Sequence, residues 1–242
     1  MAVRAFHTLS LCSGVGGLDL GVSLAIPAAR VVCYVERNPF CRRILRCRMR
    51  DGCLDDAPIW DDLRTFDGRP WRGLVDCVVA GYPCQGFSSA ARGRHTRPDL
   101  SGEVLRVVSG CRPAFVFVEN VYHARGSLAA LRGSLWGLGY RGPPLLDCRA
   151  SDVGAPHQRS RLFLLAHADG HGEPGLPFDG EVAGLPAAGA NVWEDHAAAL
   201  GVDDGLAGRA HRLSAAGNGV CPLAAAHALR TLAASAVTGA GR

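Results

Sequence analysis

The sequence lacks several features that would assign it to a class at once. Lysine is absent, so all 26 basic residues are arginine, and this bias alone is weak evidence for a nucleic-acid partner. No apolar run approaches the roughly 18 residues of a membrane span. The start also lacks the pattern of a secretory signal peptide. We therefore expect a cytoplasmic protein that does not bind a membrane.

The pattern of cysteines argues against a zinc-binding protein and against a disulfide-bonded one. The chain has 10 cysteines in 242 residues, but no two of them form a Cys-x-x-Cys pair, as a zinc knuckle would require. They are scattered through segments with strand-like and helix-like patterns. We expect reduced thiols and no metal site, in one domain with an insertion.

Charge is distributed unevenly along the chain. Residues 167–208 contain eight acidic residues and no arginine, a local charge of −8, whereas the remainder carries +12. The same stretch is rich in glycine, proline and alanine. We therefore expect a basic body formed by residues 1–166 and 209–242, with 167–208 as a short acidic insert.

The first segment has the pattern of a nucleotide-binding α/β unit. A strand is predicted over 6–11, a glycine-rich turn over 12–17, and a helix from Leu18 to about Ile26. The turn lacks the third glycine of the dinucleotide fingerprint and has no basic residue, as suits a ligand without phosphates. Glu36 ends the next predicted strand, 22 residues after Gly14, where a carboxylate can accept hydrogen bonds from ribose hydroxyls. An exposed carboxylate at a strand end is the alternative.

A cysteine follows the next apolar run. Residues 74–80 predict a buried strand, so Cys84 falls in the loop beyond it, directly after Pro83. Ligands of open α/β sheets gather beyond the carboxyl ends of the strands, which would place this thiol to react. Taken alone, such a cysteine is more often a buried structural thiol.

Four motifs then follow one another along the chain. Pro83-Cys84-Gln85-Gly86-Phe87-Ser88 is the first, and Glu119-Asn120-Val121 follows a predicted strand over 115–118. Arg159 and Arg161 precede a predicted strand over 162–166, and Gly217-Asn218-Gly219-Val220 precedes a predicted helix that begins at Pro222.

These motifs, with the glycine turn and in this order, resemble those of the DNA cytosine-5 methyltransferases. The resemblance implies an α/β, Rossmann-like S-adenosylmethionine-dependent methyltransferase fold, with a mostly parallel sheet flanked by helices. The larger members carry a target recognition domain where this chain has residues 167–208. The chain thus resembles a short member with a reduced target recognition region.

The resemblance also implies roles for individual residues. Cys84 would be the nucleophile, Glu119 would hold the N3 edge of the target cytosine, Arg161 would donate to its O2, and Arg159 would brace the site. The implied cofactor-binding residues are Leu11, Cys12, Ser13, Gly14, Gly16, Gly17, Glu36, Arg37, Asp62, Leu63, Pro83, Asn218 and Val220. The implied DNA-binding residues are Gln85, Ser88, Arg92, Arg94 and Arg97.

Some positions depart from the family pattern. Ser10 stands where an aspartate is common, Cys12 where an aromatic packs on the adenine, and His157 where the motif has glutamine. Asp61 competes with Asp62 for the adenine amino group.

The leading hypothesis is a monomeric enzyme that acts on double-stranded DNA, with a restriction endonuclease as a further partner. An RNA (tRNA) cytosine-5 methyltransferase and an inactive cofactor-binding or DNA-binding homologue are the alternatives.

Overall fold

The structure is a computed structural model that describes residues 4–83, 99–169, 176 and 219–239. Several residues singled out above lie outside these ranges. They are Cys84, Gln85, Ser88, Arg92, Arg94, Arg97 and Asn218.

Within the described residues, a mixed sheet of eight strands forms the centre of the fold. The strands are β1 (Phe6–Leu11), β2 (Ala29–Val35), β3 (Ile59–Trp60), β4 (Cys77–Ala80), β5 (Phe115–Val121), β6 (Tyr140–Arg141), β7 (Leu146–Arg149) and β8 (Ser160–Ala168). Their order is β3-β2-β1-β4-β5-β8-β6, and β7 also pairs with β8. The first five strands are parallel, while β8 runs antiparallel to β5. The mostly parallel α/β fold expected from the sequence is confirmed.

Helices cover both faces of this sheet. They are α1 (Gly17–Ala25), α2 (Pro39–Arg50), α3 (Ser101–Cys111), α4 (Arg125–Gly137) and α5 (Pro222–Gly239). One core lies between the sheet and α1 with α5, and a second core lies between the opposite face and α3 with α4. Both faces of the central strands are therefore buried, which explains why a run such as Phe115 to Val118 is apolar at every position. Among the described helices, none combines the length and apolar character needed to traverse a lipid bilayer.

The connections create a crevice between β1 and β4. From β1 the chain proceeds outward through β2 to β3, then returns to β4 and continues in the other direction to β5. The strand order thus reverses between β1 and β4, and ligands of open α/β sheets bind beyond the carboxyl ends of the strands at such a point. The glycine turn follows β1 here, and the segment that leads to Cys84 follows β4.

Element boundaries differ slightly from the sequence predictions. The strand predicted over 74–80 begins at Cys77, and the strand predicted over 162–166 extends from Ser160 to Ala168. In α2, Leu45 is fully buried, whereas Phe40 and Ile44 are only partly buried. Leu176, inside the expected insert, is buried in the core of α1 and α5. The division into a body and an insert over 167–208 stays a prediction.

Candidate active site

The glycine turn is held against the end of β2. The backbone N–H of Ser13 donates to the carbonyl of Val35 at 3.1 Å. Gly14 adopts a positive φ of 57°, which glycine reaches without steric cost, and its N–H donates to Glu36 Oε2 at 2.7 Å. The turn and the carboxylate at the end of the next strand thus form one hydrogen-bonded unit.

Glu36 is a buried carboxylate, not an exposed strand-end residue. Its side chain also accepts a hydrogen bond from the N–H of Asn38, at 2.6 Å to Oε1. Burial raises the pKa of Glu36, and the N–H donors of Asn38 and Gly14 offset part of this increase. The alternative of a solvated carboxylate is therefore excluded by the fold, while each oxygen retains lone pairs for a further donor.

A small cleft opens beside the glycine turn. Its volume is about 40 Å³, and it is lined by Cys12, Val35, Arg37, Asp62, Leu63, Arg64 and Leu100. Of the two competing acids, Asp62 faces this cleft, whereas the exposed Asp61 lies 3.8 Å from Arg42. The cleft therefore brings together residues that are far apart in the sequence.

Cys12 contributes a neutral wall to this cleft. Its backbone has a positive φ of 53°, which is uncommon for a residue with a side chain. Burial, with the nearby carboxylates of Glu36 and Asp62, raises the pKa of the Cys12 thiol to about 12. Cys12 is consequently protonated at neutral pH and is not itself a nucleophile.

The start of the segment that carries Cys84 lies beside Glu119. Gly81 donates its N–H to the carbonyl of Leu11 at 3.2 Å, and a Cβ placed on Gly81 would lie 3.4 Å from Glu119 Oε2. The Asn120 side chain donates from Nδ2 to the carbonyl of Tyr82 at 3.1 Å. Asn120 therefore binds the backbone that follows β4, and the Glu119 carboxylate lies close to it.

Glu119 and Arg161 form a buried ion pair across β5 and β8. The Nε of Arg161 lies 2.9 Å from Glu119 Oε1, with side-chain exposures of 13% and 11%. Burial raises the pKa of Glu119 to about 7, although the positive charges of Arg161 and Arg159 oppose this effect. A carboxyl group with such a pKa can donate or accept a proton near neutral pH.

Arg159 joins the last motif to this site. Its guanidinium donates to the carbonyl of Gly219, and burial lowers its pKa, with the neighbouring Arg161 acting in the same direction. Val220 lies next to the glycine turn, because a Cβ on Gly17 would be only 2.7 Å from the Val220 carbonyl oxygen. The first and last motifs are thus in contact across the start of α5.

Most of the expected residues in the described ranges meet at the crevice. The structure adds Arg64 and Leu100 to the cleft, and Gly81 and Tyr82 to the approach to Glu119. Arg64 adjoins the predicted Asp62-Leu63 pair and could have been included on that basis. No sequence motif around Leu100 predicts its place in the cleft, because Leu100 reaches the cleft only through the return of the chain to α3. In the part of the chain that the structure describes, no group of three or more metal-ligating side chains is present.

Comparison with known proteins identifies a family model and relatives that match this chain. A family model of C-5 cytosine-specific DNA methylases matches residues 6–179. The Type II methyltransferase M.CviJI of Paramecium bursaria Chlorella virus IL3A is 30% identical over 168 residues, which are 67% of this chain and 43% of that protein. M1.HphI of Haemophilus parahaemolyticus is 32% identical over 180 residues, covering 67% of this chain and 46% of that protein.

Solved structures agree on the fold. A structure titled as a DNA modification methyltransferase from an E. coli prophage superposes with a TM-score of 0.53 at 26% identity, covering 68% of this chain and 47% of that one. A DNMT2 mutant of Spodoptera frugiperda superposes with a TM-score of 0.57 at 16% identity, covering 70% and 52%. The chain spans less than half the length of the two curated relatives. With the family model matching well over half of its residues, the chain belongs to the C-5 cytosine-specific DNA methylase family.

Proposed function

We propose that the protein is a DNA cytosine-5 methyltransferase, which transfers a methyl group from S-adenosylmethionine to C5 of a cytosine rotated out of the duplex. The observation that carries this proposal is the buried pair of Glu119 and Arg161 beside the backbone that leads to Cys84. This pair lies at the crevice where the strand order reverses, opposite the glycine turn. The position and the chemistry of the site therefore support the same reaction.

The cofactor would occupy the side of the crevice formed by the glycine turn. The residues there suit a nucleoside that carries no phosphate: the buried Glu36 carboxylate can accept from ribose hydroxyls, and Asp62 lines the cleft where an adenine amino group would donate. The neutral Cys12 and the apolar Leu63 supply walls for a flat base. S-adenosylmethionine supplies an electrophilic methyl group when it is bound. Leu11, Ser13, Gly16, Gly17, Arg37, Pro83, Asn218 and Val220 complete the proposed cofactor set.

Cytosine requires activation before C5 can accept a methyl group. Addition of the Cys84 thiolate to C6 forms a sulfur–carbon bond and makes C5 nucleophilic. Glu119 in its protonated form would donate to N3 and stabilise the charge that develops on the ring, while an arginine would donate to O2. Once C5 carries the methyl group, transfer of the C5 proton to water and departure of the thiolate restore the ring.

The two arginines would bind the cytosine O2 and brace the site. Arg161 uses its Nε to hold Glu119, and its planar guanidinium can donate to a second acceptor such as O2. Arg159 would brace the site, because it ties the start of β8 to Gly219. Gln85, Ser88, Arg92, Arg94 and Arg97 would contact the DNA, since they share the segment of Cys84.

The base must leave the stack, because C6 is inaccessible in a duplex. Site recognition would depend on the basic body, since a charge of −8 over 167–208 repels phosphates. We therefore propose a short or relaxed target sequence. We also propose that the protein acts in the cytoplasm as a monomer and that a restriction endonuclease is its partner.

Transfer of tritium from labelled S-adenosylmethionine tests the proposal. We expect label in duplex DNA and not in tRNA, and we expect Cys84→Ala to abolish transfer while cofactor binding persists. Label in tRNA alone would instead identify an RNA methyltransferase. Cofactor binding without transfer to either substrate would identify an inactive homologue. Bisulfite sequencing of plasmid DNA treated with the enzyme then reports the target, and a strict site of six bases would contradict relaxed recognition.

A further inference from the structure

Two hydrogen bonds converge on the hydroxyl of Ser127, in the first turn of α4. The Tyr82 hydroxyl lies 3.3 Å from Ser127 Oγ. Ser127 Oγ in turn donates to Asp99 Oδ2 at 2.9 Å. One serine on α4 therefore connects residues that are 17 positions apart in the sequence.

The direction of this chain of hydrogen bonds follows from its chemistry. A serine hydroxyl has one proton, and here it is donated to a carboxylate oxygen, which has none to give. The Tyr82 hydroxyl must then donate to Ser127 Oγ. The order runs from Tyr82 to Ser127 to Asp99, and removal of the serine hydroxyl breaks both contacts.

Both partners of Ser127 make further hydrogen bonds to described residues. Tyr82 is 2% exposed, and its carbonyl accepts a hydrogen bond from Asn120, the neighbour of Glu119. Asp99 accepts a hydrogen bond from the N–H of Ser101 at 2.9 Å, and Ser101 is the first residue of α3. Ser127 thus links the end of β4 to the start of α3 at the rim of the crevice.

We propose that Ser127 is a positioning residue for methyl transfer, because it sets the distance between Tyr82 and Asp99, the two ends that flank residues 83–98. Cys84 lies two positions after Tyr82, so the location of its sulfur relative to Glu119 depends on where this end is held. Holding two ends of a chain at a fixed distance costs conformational entropy, which the two hydrogen bonds of Ser127 offset. The inference rests on the proposed role of Cys84 as the nucleophile.

Kinetics of matched variants test this role. We expect Ser127→Ala and Tyr82→Phe to lower kcat about tenfold, because misplacement of a reacting group by a fraction of an ångström has effects of this order. The Kd for S-adenosylmethionine should stay within about twofold, since neither side chain lines the cofactor cleft. Ser127→Thr keeps a hydroxyl and should restore most of kcat. The control is Ser134→Ala on the same helix, whose Oγ bonds only to the Ala130 carbonyl among the described residues.

A second measurement does not depend on methyl transfer. Arg92 and Arg94 lie between Tyr82 and Asp99 in the sequence, so the rate of tryptic cleavage after them reports how firmly the two ends are held. We expect this cleavage to be about tenfold faster in Ser127→Ala than in the wild type or in Ser134→Ala, at temperatures where all three are folded. If Ser127→Ala does not fold, Tyr82→Phe takes its place in both assays.

Unchanged kcat and unchanged cleavage in Ser127→Ala would overturn the inference, as would equal losses in Ser134→Ala. A wild-type protein without methyl transfer would overturn the proposed function instead. The cleavage rates would then still decide whether Ser127 fixes the two ends.

Discussion

The carboxyl group of Glu119 and the guanidinium of Arg161 meet across β5 and β8 at 2.9 Å, yet burial sets the protonation of the acid. An exposed carboxylate beside an arginine would have a pKa below its usual range. Here the loss of hydration outweighs the attraction of Arg161 and Arg159, and the pKa of Glu119 rises to about 7. In the proposed reaction, the acid is therefore poised to be protonated when it meets N3 of cytosine.

The first prediction concerns the pH dependence of catalysis. Glu119 is protonated below about pH 7 and loses its proton above it, so kcat/KM should fall above this pH if the protonated form is required. Glu119→Gln donates from an amide that does not titrate in this range. We expect this variant to be about 10- to 100-fold slower and to lack the decline near pH 7. A decline retained in Glu119→Gln would assign it to another group.

The second prediction concerns Arg161. Its charge lowers the pKa of Glu119, so Arg161→Met should move the alkaline decline of kcat/KM upward by about one pH unit or more. Arg141→Met is the control, because Arg141 pairs with the exposed Asp169 and has no contact with Glu119. A decline at the same pH in both variants and in the wild type would show that Arg161 does not set the protonation of Glu119.

Glu36 provides a test of the cofactor side. Its two oxygens accept from the N–H groups of Gly14 and Asn38, and an amide in its place would turn one acceptor into a donor. We expect Glu36→Gln to weaken S-adenosylmethionine binding about 10- to 100-fold in calorimetry, because a buried donor would then face a donor. Asp61→Asn is the matched control, since Asp61 is outside the cleft. Equal affinities in the two variants would contradict the assignment.

The packing of α1 on α5 predicts that alanine substitutions at two glycines change the free energy of unfolding in opposite directions. A Cβ on Gly21 would lie 2.6 Å from the Ala225 Cβ and 2.8 Å from the Pro222 carbonyl oxygen. Gly21→Ala should therefore reduce the free energy of unfolding by about 1–3 kcal/mol. A Cβ on Gly133, within α4, meets no atom within 4 Å among the described residues, and Gly133→Ala should raise stability by up to about 1 kcal/mol. Urea denaturation measures both changes, and a destabilised Gly133→Ala with an unaffected Gly21→Ala would refute this packing.

The elements around the glycine turn could be predicted from sequence because their signals are local. The apolar run of β1, the glycine turn and the acid after β2 follow one another within 36 residues. Parallel pairing then places Ser10 opposite Tyr34 and brings Gly14 to Glu36. Proximity in the sequence and the geometry of a parallel sheet are sufficient for this part of the site.

Other relationships depend on pairings that leave no local signal. The antiparallel register of β8 on β5 places Arg161 opposite Val121, two positions from Glu119. Arg161 therefore pairs with the acid, whereas the resemblance implied that Arg161 would donate to O2 and that Arg159 would brace the site. Leu100 reaches the cleft through the path of the chain into α3, and Ser127 has no motif around it. The sequence favoured Asp62 with Asp61 as a competitor, and the position of Arg42 of α2 beside Asp61 depends on packing between distant segments. Long-range packing decides each of these cases.

The most direct test of the central claim is covalent trapping by DNA that contains 5-fluorocytosine. Fluorine at C5 cannot leave as a proton does, so the bond between the cysteine sulfur and C6 persists after methyl transfer. We expect a denaturation-resistant protein–DNA adduct that requires S-adenosylmethionine, with the modified peptide containing Cys84, and no adduct with Cys84→Ala. An adduct of equal yield in Cys84→Ala, or an active enzyme that forms none, would contradict the account.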